Sequence, residues 1–519
     1  MSSKQDPFSR HNRSFHVYQN AIYLSLILFL GTTLRIYDLG TESFWFDEMY
    51  TVHRVSQDFQ TLSHQLITKA DMTRNALYYI IAHFWVQPFE ITEFSIRSLS
   101  VLFGVLSIGM MYLVGCQLLD EKAGLLSSFF MAVSEFQIEH SQEARFYSLF
   151  VLLTLVSIYC YIIALRSRRT QLWVVSGLVN ILLFYTHTYG VFIFAVEYIH
   201  YLLYWKNNKK TLIQWEISQA LLVLAVIGGF ITLLRNGSVI GLGDGLTWIH
   251  APSFKDLFLT IYGYLFPQNY QHSWIFIGIS FTVGILFFTL SALLYNFRKG
   301  ENPWFAELKS WFQNIQLPSS MSSDMVLLTV WFVFPVMLPF IYSNLFSPIF
   351  VDRYTICAAP AFYLLTASLI SRISHAVPVY ISLGAMMIVI VPGLQDYYTA
   401  ATNEQWREVA AYVQENSQSS DVIVFAPDDN GYQTRSFDWY YPGTLTSCGI
   451  SSNINDERVV TKILSDCTLG HDRFWVIIRG SSEVVGRFTS FFLNLEAGKH
   501  LVEERHFVEI SVYLYEVAK

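Results

Sequence analysis

An adjacent acidic pair, Asp47 and Glu48, stands between the first long apolar segment of the chain and the next. It lies in the aromatic run from Phe44 to Tyr50. Carboxylates at the mouth of a membrane are costly to desolvate, and packing alone seldom explains them. Asp47 is therefore our candidate general base, and Glu48 is expected to hydrogen-bond the substrate or orient the loop. The alternative is that both acids cap a surface helix as ordinary solvated groups.

Two arginines are candidates for binding a phosphate group. Arg145 and Arg353 each lie at the predicted outer end of an apolar segment, where a guanidinium can hold a phosphate through two parallel hydrogen bonds. Anchoring at the membrane interface is the alternative for both, and Arg353 has Asp352 beside it as an ion-pair partner. Glu143 is a candidate partner for Arg145 or for the substrate.

A histidine and a tryptophan complete the candidate site. His187 follows an apolar segment and lies between two threonines, so it is a candidate to contact phosphate or sugar. The alternative for His187 is a structural hydrogen bond. Trp45, next to the acidic pair, is expected to stack on the substrate or to wall the site.

The composition indicates what kind of protein positions these residues. The chain has 519 residues, of which 53% are hydrophobic and only 14% charged. This is too apolar for a soluble enzyme of that length and indicates an all-α polytopic membrane protein. Its basic residues form short clusters between apolar runs, so no nucleic-acid partner is expected.

About eleven membrane spans are predicted from runs of about 20 apolar residues. They are Ala21 to Leu39, Ser95 to Leu118, Ala123 to Phe136, Tyr147 to Leu165, Leu172 to Thr186, Tyr189 to Trp205, Ile217 to Leu234, Ser273 to Phe297, Met325 to Tyr342, Thr355 to Ile370 and Val377 to Leu394.

The short apolar stretch from Ala76 to Val86 decides the orientation. If it lies on the membrane surface instead of crossing, the basic clusters between spans all fall on one side, which the positive-inside rule makes cytoplasmic. Every candidate site residue and the C-terminal tail then lie outside. We therefore expect a multi-pass protein of the plasma (inner) membrane with an extracytoplasmic site.

The tail has a different pattern and predicts a separate extracytoplasmic α/β domain at residues 397–519. The membrane domain is predicted at 1–396, including a first outer loop at 40–94. In the tail, the predicted elements are a helix at Trp406 to Glu415, strands at Asp421 to Ala426 and Phe474 to Arg479, a helix at Ser482 to Leu495, and a strand or hairpin at His506 to Val517.

Two cysteines are candidates for a disulfide, and the paired acids are candidates for a metal site. Cys448 and Cys467 both lie in the tail, and a disulfide between them is one of two open possibilities. No zinc-finger spacing or phosphate-binding glycine loop is present, so no cofactor is expected. A divalent cation held by the paired acids remains an alternative.

Short motifs follow one another along most of the chain: Ser43 to Glu48, Ala76 to Tyr79 with His83 to Trp85, Phe94 to Ser100, Ser141 to Leu149, Thr186 to Gly190, Asp352 to Tyr354 and Trp406 to Ala410. In this order they resemble the membrane glycosyltransferases of the family 39 type. That group includes the dolichyl-phosphate-mannose protein mannosyltransferases and the bacterial aminoarabinose transferases.

The resemblance implies a GT-C fold, a polyprenyl-phosphate sugar donor and an active site on the non-cytoplasmic face. Asp47 resembles the catalytic acid of that family. The expected reaction is an inverting transfer to a hydroxyl of a lipid, glycan or protein acceptor, and the residues leave the sugar and the acceptor open. The alternative function is a flippase for polyprenyl-linked glycolipids or a non-catalytic subunit of polysaccharide assembly, neither of which needs Asp47.

Overall fold

The computed structural model describes residues 7–68, 75–204, 211–235, 249–267, 322–372, 376–451, 454, 456–480, 486, 488 and 499–517. The chain divides into two compact units. The helical unit contains Met1–Tyr37, Asp58–Trp85 and Arg97–Tyr398, and the sheet unit contains Asp38–Gln57, Val86–Ile96 and Thr399–Lys519. Two pieces of the predicted outer loop thus group with the tail, whereas the sequence prediction placed them in the membrane domain.

The helices before the tail are α1 (Pro7–Ile36), α2 (Phe46–Val55), α3 (Phe59–Thr68), α4 (Ala76–Val86), α5 (Glu93–Leu118), α6 (Glu121–Val133), α7 (Glu135–Gln142), α8 (Tyr147–Ser167), α9 (Thr170–Phe184), α10 (Gly190–Leu203), α11 (Leu212–Arg235), α12 (Phe254–Gly263), α13 (Ser323–Leu345), a 3₁₀ helix (Asp352–Ala358), α14 (Ala359–Ser371) and α15 (Ala376–Thr399).

Within the described ranges, six helical segments are long and apolar enough to cross a membrane. They are Tyr18–Ile36, Glu93–Leu118, Tyr147–Ser167, Ser323–Leu345, Asp352–Ser371 and Val379–Thr399. The chain is therefore an integral membrane protein of mostly helical structure. Helices α4, α9 and α10 are apolar but shorter. The described residues do not confirm the predicted count of eleven spans, and the predicted span Ser273 to Phe297 lies outside them.

A break at Ser134 divides one of the predicted spans. Ser134 has an extended backbone, with φ −66° and ψ 119°, and it both ends α6 and precedes α7. Its hydroxyl accepts a hydrogen bond from the Gln137 amide at 3.3 Å, as serine commonly does before a helix. The segment Ala123 to Phe136 is therefore a 13-residue helix followed by the start of a second, short helix.

A buried polar cluster joins α8, α9 and α10. The Ser157 hydroxyl lies 2.5 Å from Asn180 Oδ1 and 2.7 Å from Glu197 Oε1, and Asn180 Nδ2 donates to Glu197 Oε2 at 2.8 Å. Polar groups away from water need such partners. The cluster fixes the three helices that carry or flank the candidate residues Arg145 and His187.

The sheet unit contains a five-stranded sheet in the order β2-β1-β3-β5-β4. The strands are β1 (Val422–Ala426), β2 (Thr446–Gly449), β3 (Arg473–Arg479), β4 (Lys499–Phe507) and β5 (Ile510–Val517). β1 is parallel to β2 and β3, whereas β5 runs antiparallel to β3 and β4. The tail helices are α16 (Trp406–Asn416), α17 (Tyr432–Tyr440) and α18 (Glu457–Cys467).

Both faces of the central strands β1 and β3 are buried because helices cover each side of them. One face packs Trp475 and Phe425 against Trp406 of α16 and Phe437 of α17. The other packs β1 and β3 against Val460 and Leu464 of α18, so all five residues of β1 are buried. A continuous apolar run such as β1 is typical of a central strand in a sheet that is covered on both sides.

The tail confirms the predicted α/β domain. It also contains a disulfide between Cys448 in β2 and Cys467 at the end of α18. Four elements of the tail were not predicted: α17, α18, the edge strand β2 and the strand β4, of which only the last two residues fall within the predicted hairpin at His506 to Val517. The predicted helix at Ser482 to Leu495 lies almost entirely outside the described residues.

Candidate functional site

The acidic pair lies at the start of α2, in the sheet unit. Trp45 precedes the helix, and its backbone N–H donates to Glu48 Oε2 at 3.4 Å. Glu48 is completely buried, whereas Asp47 and Trp45 are half-buried. Acids in the first turn are favoured by the helix dipole. Glu48 thus caps the helix from a buried position and not as a solvated group.

Hydrogen bonds connect the segment before α2 to the rest of the sheet unit. The Ser43 hydroxyl donates to the Glu404 carbonyl at 2.6 Å, and the Phe44 amide donates to the Tyr440 hydroxyl at 2.8 Å. Tyr440 in turn donates to Glu93 Oε1 at 2.6 Å. This chain of bonds joins both pieces of the outer loop to α17.

Arg407 completes that network. It pairs with Glu93 and donates to the Thr41 carbonyl at 2.8 Å. Burial and the Glu93 carboxylate together hold the pKa of the Tyr440 hydroxyl well above its usual range, so Tyr440 remains a donor. The two pieces of the outer loop in the sheet unit are therefore bonded to residues more than 300 positions later in the chain.

Aromatic and cationic side chains hold α2 itself. The rings of Phe46 and Tyr50 lie 5.3 and 5.5 Å from the ring of Tyr432 in α17. The guanidinium of Arg479, at the end of β3, lies 4.5 Å from the Phe46 ring, and that of Arg54 lies 3.0 Å from the Tyr50 ring. Cations over aromatic faces are stabilising. Two aromatic residues beside the acidic pair, Phe46 and Tyr50, therefore pack on the tail helix α17.

The helical unit holds a second group of ionisable residues, on and just after α7. Glu139, His140 and Glu143 each offer a ligand atom, and these atoms lie within 4.8 Å of one another. His140 Nδ1 is 3.5 Å from Glu143 Oε1, and its ring lies between those of Phe136 at 4.7 Å and Tyr147 at 4.9 Å. Two carboxylates and an imidazole are a donor set that a divalent cation accepts.

The charges in this group influence one another strongly. Burial raises the pKa of Glu139 to about 7. His140 and Arg353 oppose that rise, whereas Glu143 and Asp352 add to it. Burial, the largest single effect, would lower the pKa of His140, but the nearby carboxylates of Glu143, Glu139 and Asp352 together outweigh it, so the pKa of His140 is raised. Residues from α7 and from the 3₁₀ helix therefore share one electrostatic environment.

Aromatic rings connect the two candidate phosphate-binding arginines. The Arg145 guanidinium lies 4.8 Å from the centre of the Phe146 ring, and Phe146 lies 5.1 Å from the ring of His187. His187 is 4.8 Å from the ring of Tyr354, over which the Arg353 guanidinium lies at 5.9 Å. Arg145 and Arg353 are thus two ends of one continuous cluster.

His187 has a structural partner within this cluster. Its Nδ1 accepts a hydrogen bond from the Tyr189 amide at 3.1 Å, and the ring is 5.0 Å from that of Phe150. The side chain is buried. The hydrogen bond holds the turn between α9 and α10, which is the structural role weighed as an alternative for this residue.

The structure thus brings four of the predicted residues together in the helical unit: Glu143, Arg145, His187 and Arg353. It places the other three, Trp45, Asp47 and Glu48, in the sheet unit. Sequence reasoning missed Glu139 and His140. The signal that was overlooked is the spacing of Glu139 and Glu143, because residues four positions apart lie about one helical turn apart on a shared face.

Comparisons with known proteins identify the fold. Residues 76–232 match the family model described as dolichyl-phosphate-mannose-protein mannosyltransferase. A search of curated proteins finds no match.

Two solved structures are similar over most of the chain. One is ArnT from Cupriavidus metallidurans bound to undecaprenyl phosphate, with 10% identity and a TM-score of 0.58 over 95% of this chain and 98% of that one. The other is the oligosaccharyltransferase AglB from Archaeoglobus fulgidus with an inhibitory peptide and a dolichol-phosphate, with 12% identity and a TM-score of 0.50 over 96% and 74% of the two chains. The chain therefore has a GT-C fold and resembles the GT-C membrane glycosyltransferases, as its motifs predicted.

Proposed function

We propose that this protein is a glycosyltransferase that moves a sugar from a polyprenyl-phosphate donor to an acceptor hydroxyl. The observation that carries the proposal is the likeness in fold to ArnT over nearly the whole length of both chains. That relative is described with undecaprenyl phosphate bound, and AglB with a dolichol-phosphate. A lipid-phosphate donor for this chain is consistent with its apolar helices and with its paired arginines.

In the proposed reaction, Arg145 and Arg353 bind the donor phosphate. A polyprenyl-phosphate sugar already carries a good leaving group, so catalysis requires charge stabilisation of the departing phosphate more than its activation. Both guanidinium groups lie over aromatic rings of one cluster, which restricts their motion. A restrained planar guanidinium binds phosphate with less loss of side-chain entropy than a flexible ammonium group.

Asp47 is the proposed general base. Glu48 is buried and bonded to the Trp45 backbone, so its position supports a role in orienting the loop. Asp47 is half-buried, in the same helical turn, and it would take the proton of the acceptor hydroxyl as that oxygen attacks the anomeric carbon. Attack from the face opposite the phosphate inverts the configuration. Trp45 is proposed to stack on the sugar.

A divalent cation, if the reaction uses one, would be held by Glu139, His140 and Glu143, whose ligand atoms lie within 4.8 Å of one another. These residues have the carboxylate and imidazole chemistry that such ions take. In the proposed reaction, Asp47 takes the proton and the two arginines stabilise the leaving phosphate, and no step is assigned to the cation.

The proposed location is the plasma (inner) membrane, with the site and the sheet unit outside the cytoplasm. A reporter fused after Lys519 is expected to read as extracytoplasmic. A cytoplasmic reading would contradict both the orientation and the proposed site of the reaction, because the donor sugar is expected on the outer face.

The decisive experiment is the substitution Asp47→Asn, assayed with a series of polyprenyl-phosphate sugars and with candidate lipid and glycan acceptors. It keeps the shape of the side chain and removes its basicity, so turnover should fall by about 10²–10⁴-fold with donor binding unchanged. Glu48→Gln is expected to have a milder effect.

Two results would contradict the mechanism. Turnover of Asp47→Asn within a few-fold of the parent would exclude Asp47 as the base. A parent protein that transfers no sugar would favour the flippase alternative, which does not use this carboxylate. Retention of configuration at the anomeric carbon of the product would exclude a single displacement even if Asp47 proved essential.

A further inference from the structure

Arg35, near the end of α1, is completely buried and is bonded to neutral groups. Its Nη1 donates to the carbonyls of Gly31 and Ala132 at 3.1 Å each, and its Nη2 donates to the Met131 carbonyl at 3.0 Å. Its Nε donates to the Ser141 hydroxyl at 3.1 Å. A buried guanidinium is costly unless its donors are satisfied, and here several of them are.

The groups that accept these bonds include carbonyls at the end of α6 and a hydroxyl in α7. Met131 and Ala132 lie in the last turn of α6, where carbonyls have no partner within their own helix because the helix stops at Ser134. Ser141 lies in α7, on the far side of that break. Arg35 therefore bonds both helices on either side of the break and fixes the angle at which α7 leaves α6.

Other contacts hold the same break. The Ser134 hydroxyl donates to the Tyr264 carbonyl at 2.7 Å, and Tyr363 donates to that carbonyl at 2.6 Å. Gln142, the last residue of α7, donates to the Arg35 carbonyl at 3.1 Å and accepts from Tyr397 at 2.8 Å. The two ends of α7 are thus tied to different helices of the helical unit.

A glycine provides the space for the contact between Arg35 and Ser141. A Cβ atom at Gly104 in α5 would lie 2.4 Å from the Ser141 hydroxyl oxygen and 3.0 Å from Arg35 Nε. Atoms cannot approach so closely, so any larger residue at position 104 would separate the two groups.

We infer that Arg35 is a positioning residue that sets the location of the Glu139, His140 and Glu143 cluster. Ser141 follows His140 directly and lies between the two glutamates in sequence, so the Arg35–Ser141 bond holds the helical turn that presents them. The effect depends on geometry, because four differently directed acceptors match the planar guanidinium and not a single ammonium group. The catalytic consequence rests on the proposed transferase function, whereas the effect on α7 does not.

The test is hydrogen exchange of the amides at 135–143 in the full-length protein, in the parent and in Arg35→Lys. Losing two or more charge-assisted bonds should speed exchange in this segment by at least about tenfold, with the remaining helices of the unit unchanged. Arg166→Lys is the matched control. Arg166 also bonds a backbone carbonyl, that of Gln117, and an acid, Asp324, and should leave exchange at 135–143 unaltered.

Ser141→Ala is a milder second variant, since it removes the Nε bond and the hydroxyl's own bond to the Gln137 carbonyl but leaves the bonds from Nη1 and Nη2 of Arg35. It should lower kcat for sugar transfer with little change in the KM for the donor and in the temperature of unfolding, and Ser141→Thr, which keeps the hydroxyl, should recover part of the loss. Unchanged exchange at 135–143 in Arg35→Lys, or faster exchange throughout the unit, would overturn the inference. So would full turnover in Ser141→Ala. If the parent transfers no sugar at all, the proposed function fails while the exchange experiment still decides the role of Arg35.

Discussion

The Tyr440 hydroxyl offers the most direct test of how the acidic segment is held. It accepts from the Phe44 amide at 2.8 Å and donates to Glu93 Oε1 at 2.6 Å. Replacing Tyr440 with Phe removes both bonds and keeps the ring. We expect Asp47, three residues after Phe44, to lose part of its fixed position.

The magnitude follows from the two bonds. A hydrogen bond between neutral groups contributes about 0.5–1.5 kcal/mol, and one to a charged group about 1.5–3 kcal/mol. The losses from the two bonds add. Because Glu93 keeps its ion pair with Arg407, we expect the lost free energy to lie in the lower half of the summed range, at about 2–3 kcal/mol. Local opening of the segment should therefore become roughly 30 to 150 times more frequent.

Hydrogen exchange of the amides at 43–50 measures that opening in the full chain. Tyr441→Phe is the matched control, because the adjacent Tyr441 packs its ring on Phe437 at 4.7 Å and its hydroxyl makes no hydrogen bond within the described part of the chain. Equal exchange in the Tyr440 and Tyr441 variants would refute the reasoning. Faster exchange in Tyr440→Phe should come with lower sugar transfer, because the proposed base would be held less often in its working position.

Two other predictions concern the arginine cluster and the tail. Arg145→Ala should weaken donor binding by about 1.5–3 kcal/mol, and Arg145→Lys should recover only part of this loss because the planar fork of the guanidinium is absent. Binding of a labelled polyprenyl phosphate measures the effect. Unchanged binding in both variants would indicate that Arg145 only anchors the protein at the membrane interface. Replacing Cys448 and Cys467 with Ser should lower the free energy of unfolding of the sheet unit by about 3 kcal/mol, since the bridge closes a loop with a sequence separation of 19. Chemical denaturation monitored by tryptophan fluorescence tests this, and an unchanged midpoint would contradict it.

The helices of the membrane part could be predicted from sequence because apolar runs of the required length have few alternatives in a bilayer. The break at Ser134 could not, because Ser is tolerated inside apolar helices and its cap bond to Gln137 is a local choice. Helix α7 was not predicted either, because only its first two residues fall within the predicted span Ala123 to Phe136. Hydropathy alone therefore gave the number of apolar runs but not which of them are continuous helices.

The tail shows a similar division. Strands β1 and β3 are apolar runs bounded by polar residues, and they were predicted close to their observed ends. The edge strand β2 has the sequence Thr446–Gly449 with mostly exposed side chains, so it has no apolar signal to detect. Its position is set by pairing with β1 and by the bridge from Cys448.

The candidate residues were found where their types were unusual for their surroundings. Asp47, Arg145 and Arg353 are charged residues beside apolar runs, which is a signal that sequence can supply. The grouping of Arg145 with Arg353 through Phe146, His187 and Tyr354 depends on contacts across long sequence separations. The role of Arg35 also depends on tertiary contacts, because its acceptors are backbone carbonyls that carry no residue-type signal.

The dependence of α2 on the tail has a consequence for the time course of biosynthesis. Ser43 is separated by 361 residues from Glu404, whose carbonyl it bonds. At about 5–20 residues per second, the ribosome needs roughly 20–70 s to travel that distance. A helix of 10 residues is marginal in isolation, so the segment with Asp47 waits that long without its packing partners. A nascent chain stalled before residue 404 therefore carries Asp47 but lacks the hydrogen bonds and ring contacts that the tail makes with its segment.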